Sequence, residues 1–423
     1  MIFEALTTLL MGGIGIKAYL SKSGVGNESD KIQKIFTVTG LNIKDGKQTY
    51  TTQLIRKRDY DWGTEYRYRI PLGRSFDDYI AKQEAIEAGI NNRTIKIDLK
   101  DLQNIKLDRD ILSNIKSIYT KKLSHRKEVE LSYDGILKIR VYKEPLPKKI
   151  LWKEDFLRKG SWSVLIGMNY TEKIYHDFDE RKHLIVAGAT GFGKSVIIKG
   201  IITSLTLSKA NDVSFSLIDL KGGPAFARFK NLKQVVNFGV NNDDALDILK
   251  DVQRTMSEDY QKIVDDGFED VVEAGIKRRH FLVIDEAADI ADDNKCMTIL
   301  TDIVRKGRGA GYYVIYATQY PSAQAIPMQI KRNIPARLCF VLDSATASNT
   351  VLDGAGAESL PEIPGRGIYK QVKQTIIQTP YLSNERIKEL IEPYIIDKGG
   401  NKIETAKQET RSDTLIFEET GLS

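Results

Sequence analysis

Residues 183–195 read HLIVAGATGFGKS. Four apolar residues, Leu184–Ala187, run into Gly188, Ala189, Thr190, Gly191, Phe192, Gly193, Lys194 and Ser195, which fit the pattern GxxxxGK[ST]. Val196–Leu207 follows with helix-forming content. Strand, glycine loop and helix in that order are the context in which this pattern grips phosphate. Glycines let successive backbone N–H groups turn inward around an anion, and the helix N-terminus adds its positive end. The expectation is a site for ATP held by residues 188–195. Lys194 reaches the β- and γ-phosphates and the Ser195 hydroxyl holds Mg²⁺.

A second half-site is expected on a neighbouring strand. Phe281–Ile284 is an apolar run that ends in Asp285 and Glu286, 91 residues beyond Lys194. Asp285 is placed to bind the hydration shell of Mg²⁺, and Glu286 to orient and deprotonate the attacking water. A glutamate beside the aspartate favours hydrolysis over nucleotide switching. Two other apolar runs end in polar residues: Val213–Leu220 carries Asp219 and precedes Lys221, and Tyr312–Thr318 precedes Gln319. Such a side chain beside the phosphates senses the γ-phosphate, or else it simply meets solvent at a strand end.

Around these runs, residues 151–397 alternate apolar strands with helical segments, the pattern of an α/β domain with a mainly parallel central sheet. Residues 31–150 read as a small mixed α+β domain. Tyr66–Pro71, Val129–Tyr133 and Leu137–Tyr142 alternate as half-buried strands do, and Phe76–Ala88 has helical spacing. EPLPKK, residues 144–149, marks the boundary, and Ser21–Asp30 reads as a linker. Residues 1–30 thus comprise a short apolar helix and that linker. The apolar stretch Ile2–Leu20 is broken by Glu4 and Lys17, leaving an uncharged run of 12 residues, short of the ~20 a spanning helix needs. The lysines that follow it place the body of the protein at the cytoplasmic face of a membrane if the segment anchors there; otherwise it is an amphipathic or docking helix. Residues 398–423 are polar and read as a disordered tail.

Composition supports a folded protein: of 423 residues, 41% are hydrophobic and 28% charged. A net charge of +6 suits a nucleic-acid partner without requiring one. Cys296 and Cys339 have no metal-ligand spacing, so they read as buried thiols, and four histidines argue against a histidine-based metal enzyme.

HLIVAGATGFGKS, LIDLK, VIDEAADI, ATQYPS, IKRNIPARLCF and TVLDGAGAESL, in that order, resemble the sequence blocks of the FtsK/SpoIIIE DNA translocases, members of the HerA–FtsK group of RecA-like ring ATPases. The resemblance is close over about residues 160–395 and loose over the domain before them. It implies a RecA-like P-loop motor that couples Mg-ATP hydrolysis to movement along DNA as a homo-hexameric ring. It makes Asp285 and Glu286 the Walker B pair and Gln319 the sensor. Arg308, in Lys306-Gly307-Arg308-Gly309, becomes the arginine reaching a neighbour's ATP, with Arg305 and Arg337 as alternatives.

This chain departs from the family in three places. No orientation-reading winged helix is expected after residue 395, and at most one short membrane segment precedes the motor. Positions where the family presents cations to DNA hold Tyr320, Ala345 and Asn349. Tyr320, Asn349 and the nearby Lys331 and Arg332 are therefore the candidate DNA contacts. The first two departures resemble compact coupling proteins of plasmids and integrative elements, which implies a relaxase and membrane secretion-channel proteins as partners. Chromosome segregation, protein export and a non-hydrolysing adaptor are the alternatives.

Overall fold

The computed structural model describes residues 28–91 and 127–396. The apolar segment Ile2–Leu20 and the tail 398–423 lie outside the described residues. No helix among the described residues is long and apolar enough to cross a membrane.

The amino-terminal unit begins with helix Glu28–Val38 and a short hairpin, β1 (Ile43–Asp45) and β2 (Gln48–Tyr50). A four-stranded antiparallel sheet follows, in the order β3 (Gln53–Tyr60), β4 (Gly63–Arg69), β6 (Leu137–Tyr142), β5 (Val129–Tyr133). Its inner face, with Tyr66, Tyr68, Leu137 and Ile139, packs on Ile32, Phe36, Tyr79 and Ile86 in a core of its own. Two expectations change here. Glu28–Asp30, read as the end of a linker, form the first turn of a helix, because Ser29, Ile32 and Phe36 face that core at helical spacing. The helix expected over Phe76–Ala88 is two helices, Phe76–Ile80 and Gln83–Ile90. Tyr79 from the first and Ile86 from the second are both fully buried.

After the short strand β7 (Ile150–Leu151) come β8 (Ser163–Met168), β9 (Lys173–Asp177), β10 (Leu184–Ala187), β11 (Val213–Asp219), β12 (Val235–Gly239), β13 (Arg279–Asp285), β14 (Tyr312–Thr318), β15 (Ala336–Phe340), β16 (Arg366–Lys370), β17 (Gln374–Gln378) and β18 (Pro380–Tyr381). Ten of these build one sheet in the order β12-β11-β13-β14-β10-β15-β16-β17-β8-β9. From β12 to β15 every pairing is parallel, and from β15 onward every pairing is antiparallel. The α/β expectation with a mainly parallel sheet is met.

Strand β10 shows why the sheet forms. Leu184, Ile185 and Val186 are fully buried, and each contributes about 1.5–3 kcal/mol on burial. Leu184 and Val186 face helix Lys194–Ser208 through Ile197 and Ile201. Ile185 and Ala187 face the other layer, which includes helices Asn242–Asp265 and Asn294–Ala310. A strand covered on both faces reads as a continuous apolar run rather than an alternating one. Cys296 and Cys339 are both buried free thiols, as expected.

Candidate nucleotide-binding and catalytic site

The glycine loop joins the end of β10 to helix Lys194–Ser208. Its geometry requires glycine at two positions. A Cβ on Gly188 would lie 2.6 Å from Cβ of Phe340. Gly193 caps the helix at φ +113, a left-handed conformation that favours glycine. The loop is tied to both flanking strands: the Gly188 amide donates to Thr318 (3.3 Å) and the Ala189 amide to Val341 (3.0 Å). A cleft of about 510 Å³ opens over it, lined by Ala189, Thr190, Gly191, Gly193, Lys194 and Ser195 on one side. Gly188 and Phe192 do not line it. The Phe192 side chain packs into the core instead.

The sheet places Asp285 and Glu286 differently from expectation. They end β13, which is not adjacent to β10, because β14 runs between the two. The carboxylates still converge on the loop, since the Lys194 ammonium bonds Oδ1 of Asp285 and stands 3.7 Å from Oε2 of Glu286. All three side chains are almost wholly buried. The strand in between contributes directly. The Gln319 amide and the Thr318 hydroxyl each donate to Oε1 of Glu286 at 2.9 Å. From the strand on the far side, Lys221 approaches Oε2 of Glu286 at 3.1 Å.

Glu286 itself has φ +63, an unusual conformation for a residue with a side chain. Strain of that kind, about 1–3 kcal/mol, persists where surrounding contacts over-determine it. Burial pushes the Glu286 carboxyl up, but the Gln319 amide, the Lys194 ammonium, the Thr318 hydroxyl and Lys221 together hold it below the ordinary glutamate range. It is thus an ionised acceptor in a largely desolvated site. The Gln319 side chain accepts from the Thr190 hydroxyl at 2.8 Å, linking the sensor position to the loop. Asp219 accepts from the amides of Ala225 (2.7 Å) and Phe226 (3.3 Å), so it shapes the loop that carries Lys221.

The donors suit Mg²⁺. That ion takes hard oxygen ligands and usually one or two carboxylates beside phosphates and water. Asp285 and the cleft-lining Ser195 supply a carboxylate and a hydroxyl of that kind, and among the described residues no cluster of three or more His, Cys, Asp or Glu competes for a metal.

The other candidates sit apart. Arg308 is exposed near the end of helix Asn294–Ala310, four residues before β14 begins. Burial above all, with smaller contributions from the Lys182 and Arg308 charges, disfavours the imidazolium of His183 at the foot of β10. Because its helix ends where β14 begins and the glycine loop meets the far end of β14 at Thr318, Arg308 is separated from its own cleft by the length of β14, roughly 20 Å at ~3.3 Å per residue. Arg337, an alternative to it, is buried and bonds the Ile334 and Val351 carbonyls and Asp353. Arg305 pairs with Asp302. Tyr320 is 72% exposed, and Arg332 and Asn349 are exposed too. Lys331 is engaged: it pairs with Asp353 at 2.5 Å and donates to the Asn349 carbonyl. Asp353, held far below the ordinary carboxylate range against burial by Lys331 and Arg337, also meets Lys370.

Residues 148–290 match the family model described as FtsK/SpoIIIE family. Over that stretch the chain is similar to the FtsK/SpoIIIE family. Within a 245-residue match it is 31% identical to a DNA translocase FtsK of Oceanobacillus iheyensis, covering 52% of this chain and 31% of that one. With the DNA translocase SpoIIIE of Bacillus subtilis it shares 30% over 278 residues, 59% of this chain and 35% of the other. The chain thus spans about a third of the length of these curated relatives. In fold it resembles the pCW3 conjugation coupling protein TcpA, solved as a monomer with ATPγS. The TM-score is 0.57 at 18% identity, covering 87% of this chain and 99% of that one.

The far wall of the cleft was not legible in the sequence. Lys148, Lys149, Pro364, Gly365 and Gln378–Tyr381 form it. EPLPKK reads as a boundary, yet Arg366 donates to the Leu146 and Pro147 carbonyls at 2.9 and 3.2 Å, and β7 pairs with β18. The Lys149 ammonium then sits 4.2 Å from the Tyr381 ring centroid. No spacing rule links residues so far apart in the chain. Thr318 was overlooked as well, although its place just before Gln319 at a strand end was a usable signal.

Proposed function

We propose that this chain is a motor that hydrolyses Mg-ATP to move DNA, working as a homo-hexameric ring at the cytoplasmic face of a membrane. We propose further that it is the coupling protein of a conjugative plasmid or element and meets a relaxase and channel proteins there. One observation carries the catalytic half: Lys194, Asp285, Glu286 and Gln319 converge at the ends of three strands, with Glu286 buried and ionised. The likeness to DNA translocases and to a conjugation coupling protein supports the rest.

In this reading Lys194 neutralises the β- and γ-phosphates, while Ser195 and Asp285 hold Mg²⁺, which supplies charge neutralisation on the transferring phosphate when bound. Glu286 takes the proton of the attacking water. Gln319 reports the γ-phosphate to the loop that follows it, where Tyr320 is exposed. Arg332 and Asn349 remain candidate DNA contacts, whereas the ammonium of Lys331 braces Asp353.

ATPase assays with duplex, single-stranded and no DNA test the proposal. Stimulation by DNA is expected. Full turnover without any DNA effect would favour a protein exporter, and negligible turnover in all three an adaptor.

The Lys221 contact gives a pH prediction. Glu286 has a depressed pKa, so its carboxylate persists as pH falls through the ordinary glutamate range. Lys221→Met removes one cause of that depression. The acid limb of the kcat profile is therefore expected to move to higher pH, with little change at neutral pH. An acid limb that stays put would show that Lys221 does not tune this base.

A further inference from the structure

Among the described residues, the amino-terminal sheet has one face packed on helices and one face free of them. Cross-strand pairing fixes what the free face displays. Because Tyr66 and Tyr68 point into the core, Glu65, Arg67 and Arg69 point outward with their partners. Arg56, Arg67 and Lys138 stand abreast in one row across β3, β4 and β6. Arg58, Glu65, Arg140 and Glu130 form the row on one side of it, and Arg69 pairs with Gln53 on its other side.

An ordinary solvated face mixes its signs, as the second row does. The first row holds three cations side by side, an arrangement that destabilises a sheet unless an anion relieves it. Two carboxylates relieve it in part. Glu65, only 4% exposed, accepts from Arg67 at 2.8 Å and from Arg140 at 3.1 Å, and Asp134 pairs with Lys138. Arg56 and Arg58 make no ion pair among the described residues, on a strand exposed along nearly its whole length.

We propose that this open sheet face binds the phosphate backbone of nucleic acid, an inference that rests on the motor reading above. Five of its six cations are arginines, whose planar fork matches phosphate oxygens better than an ammonium does. Alternate residues along a strand are ~6.6–6.8 Å apart, about twice the ~3.4 Å axial repeat of phosphates along one DNA strand. The paired rows themselves are polar: Leu54 pairs with Tyr68 and shares the opposite face, and the half-exposed Ile55 sits unpaired in the bulge beside Arg56. The face is also held against the motor. Tyr60 stacks on Trp62 at 4.8 Å, Trp62 meets Tyr142 at 5.2 Å, and Tyr142 stacks at 3.8 Å on Tyr170 in the turn between β8 and β9. Cations missing at Tyr320, Ala345 and Asn349 are thereby replaced on another surface.

The experiment is fluorescence anisotropy of a labelled duplex with the full chain and with Arg56→Gln/Arg58→Gln, across a salt series. Melting temperature and basal hydrolysis serve as controls, because both residues are exposed and lie outside the catalytic site. The double variant is expected to bind about tenfold more weakly, with the slope of log K against log salt reduced by up to ~1.8. Unchanged affinity and slope, in a preparation whose ATPase still responds to DNA, would overturn this inference and leave the motor reading standing. A wild-type chain that neither binds DNA nor responds to it would remove both. Loss of binding to phosphatidylserine vesicles with DNA binding unchanged would make the face a membrane contact and overturn the proposal as well.

Discussion

Glu286→Gln is expected to bind ATP about as tightly as the parent chain and to hydrolyse it about a hundred- to ten-thousand-fold more slowly, the range a positioned general base contributes. The amide keeps the volume of the side chain. Its carbonyl oxygen can still accept from the Gln319 amide and the Thr318 hydroxyl, which hold the carboxylate at 2.9 Å. What it loses is the ability to take a proton and the charge that faces Lys221 and Lys194. The cleft and the glycine loop should therefore persist, and the defect should fall on kcat rather than on binding. Single-turnover hydrolysis alongside nucleotide-binding titration separates the two. Lys194→Ala gives the contrasting pattern, with binding and turnover both impaired, because its ammonium is the charge the phosphates meet. Normal turnover in Glu286→Gln would remove this residue from the chemistry.

Arg308→Ala is expected to keep nucleotide binding and lower turnover by about 10³–10⁵, the contribution of an arginine inserted in trans. The reason is positional. Arg308 is exposed at the end of the sheet opposite its own glycine loop, so in the proposed ring it would meet the phosphates of another copy. Dilute chains should be nearly inactive, with specific activity rising steeply with protein concentration. Mixing Arg308→Ala chains with Glu286→Gln chains should restore part of the activity, because some interfaces then pair an intact arginine with an intact base. A co-assembled mixture that stays inactive would count against the trans role.

The parallel core was legible because its strands are buried on both faces: Leu184–Ala187 and Phe281–Ile284 read as unbroken apolar runs ending in chemistry-bearing residues. The order of those strands was not legible. Nothing in Phe281–Glu286 says that β14 separates it from β10, since pairing partners are chosen by three-dimensional packing rather than by local pattern. The loop residues Gly188–Ser195 were readable from glycine spacing, but not the inward turn of Phe192, which depends on the core beneath it. Lys331 looked like a surface cation because its partner Asp353 lies beyond the next strand. Lys148 and Lys149 looked like linker because what holds their segment, Arg366 on the Leu146 and Pro147 carbonyls and Tyr381 beside Lys149, follows more than 200 residues later. Local pattern thus reported each element's burial and termini, while every contact between distant segments had to be seen in the fold.

The central claim is that ATP hydrolysis at Glu286 drives movement along DNA. Displacement of a third strand from a duplex carrying one triplex site measures that movement directly. The wild-type chain with Mg-ATP should release the third strand at a rate that depends on ATP, and Glu286→Gln chains should bind the same duplex and leave it in place. Robust ATP hydrolysis with the third strand untouched, or release that proceeds equally well in Glu286→Gln, would contradict it.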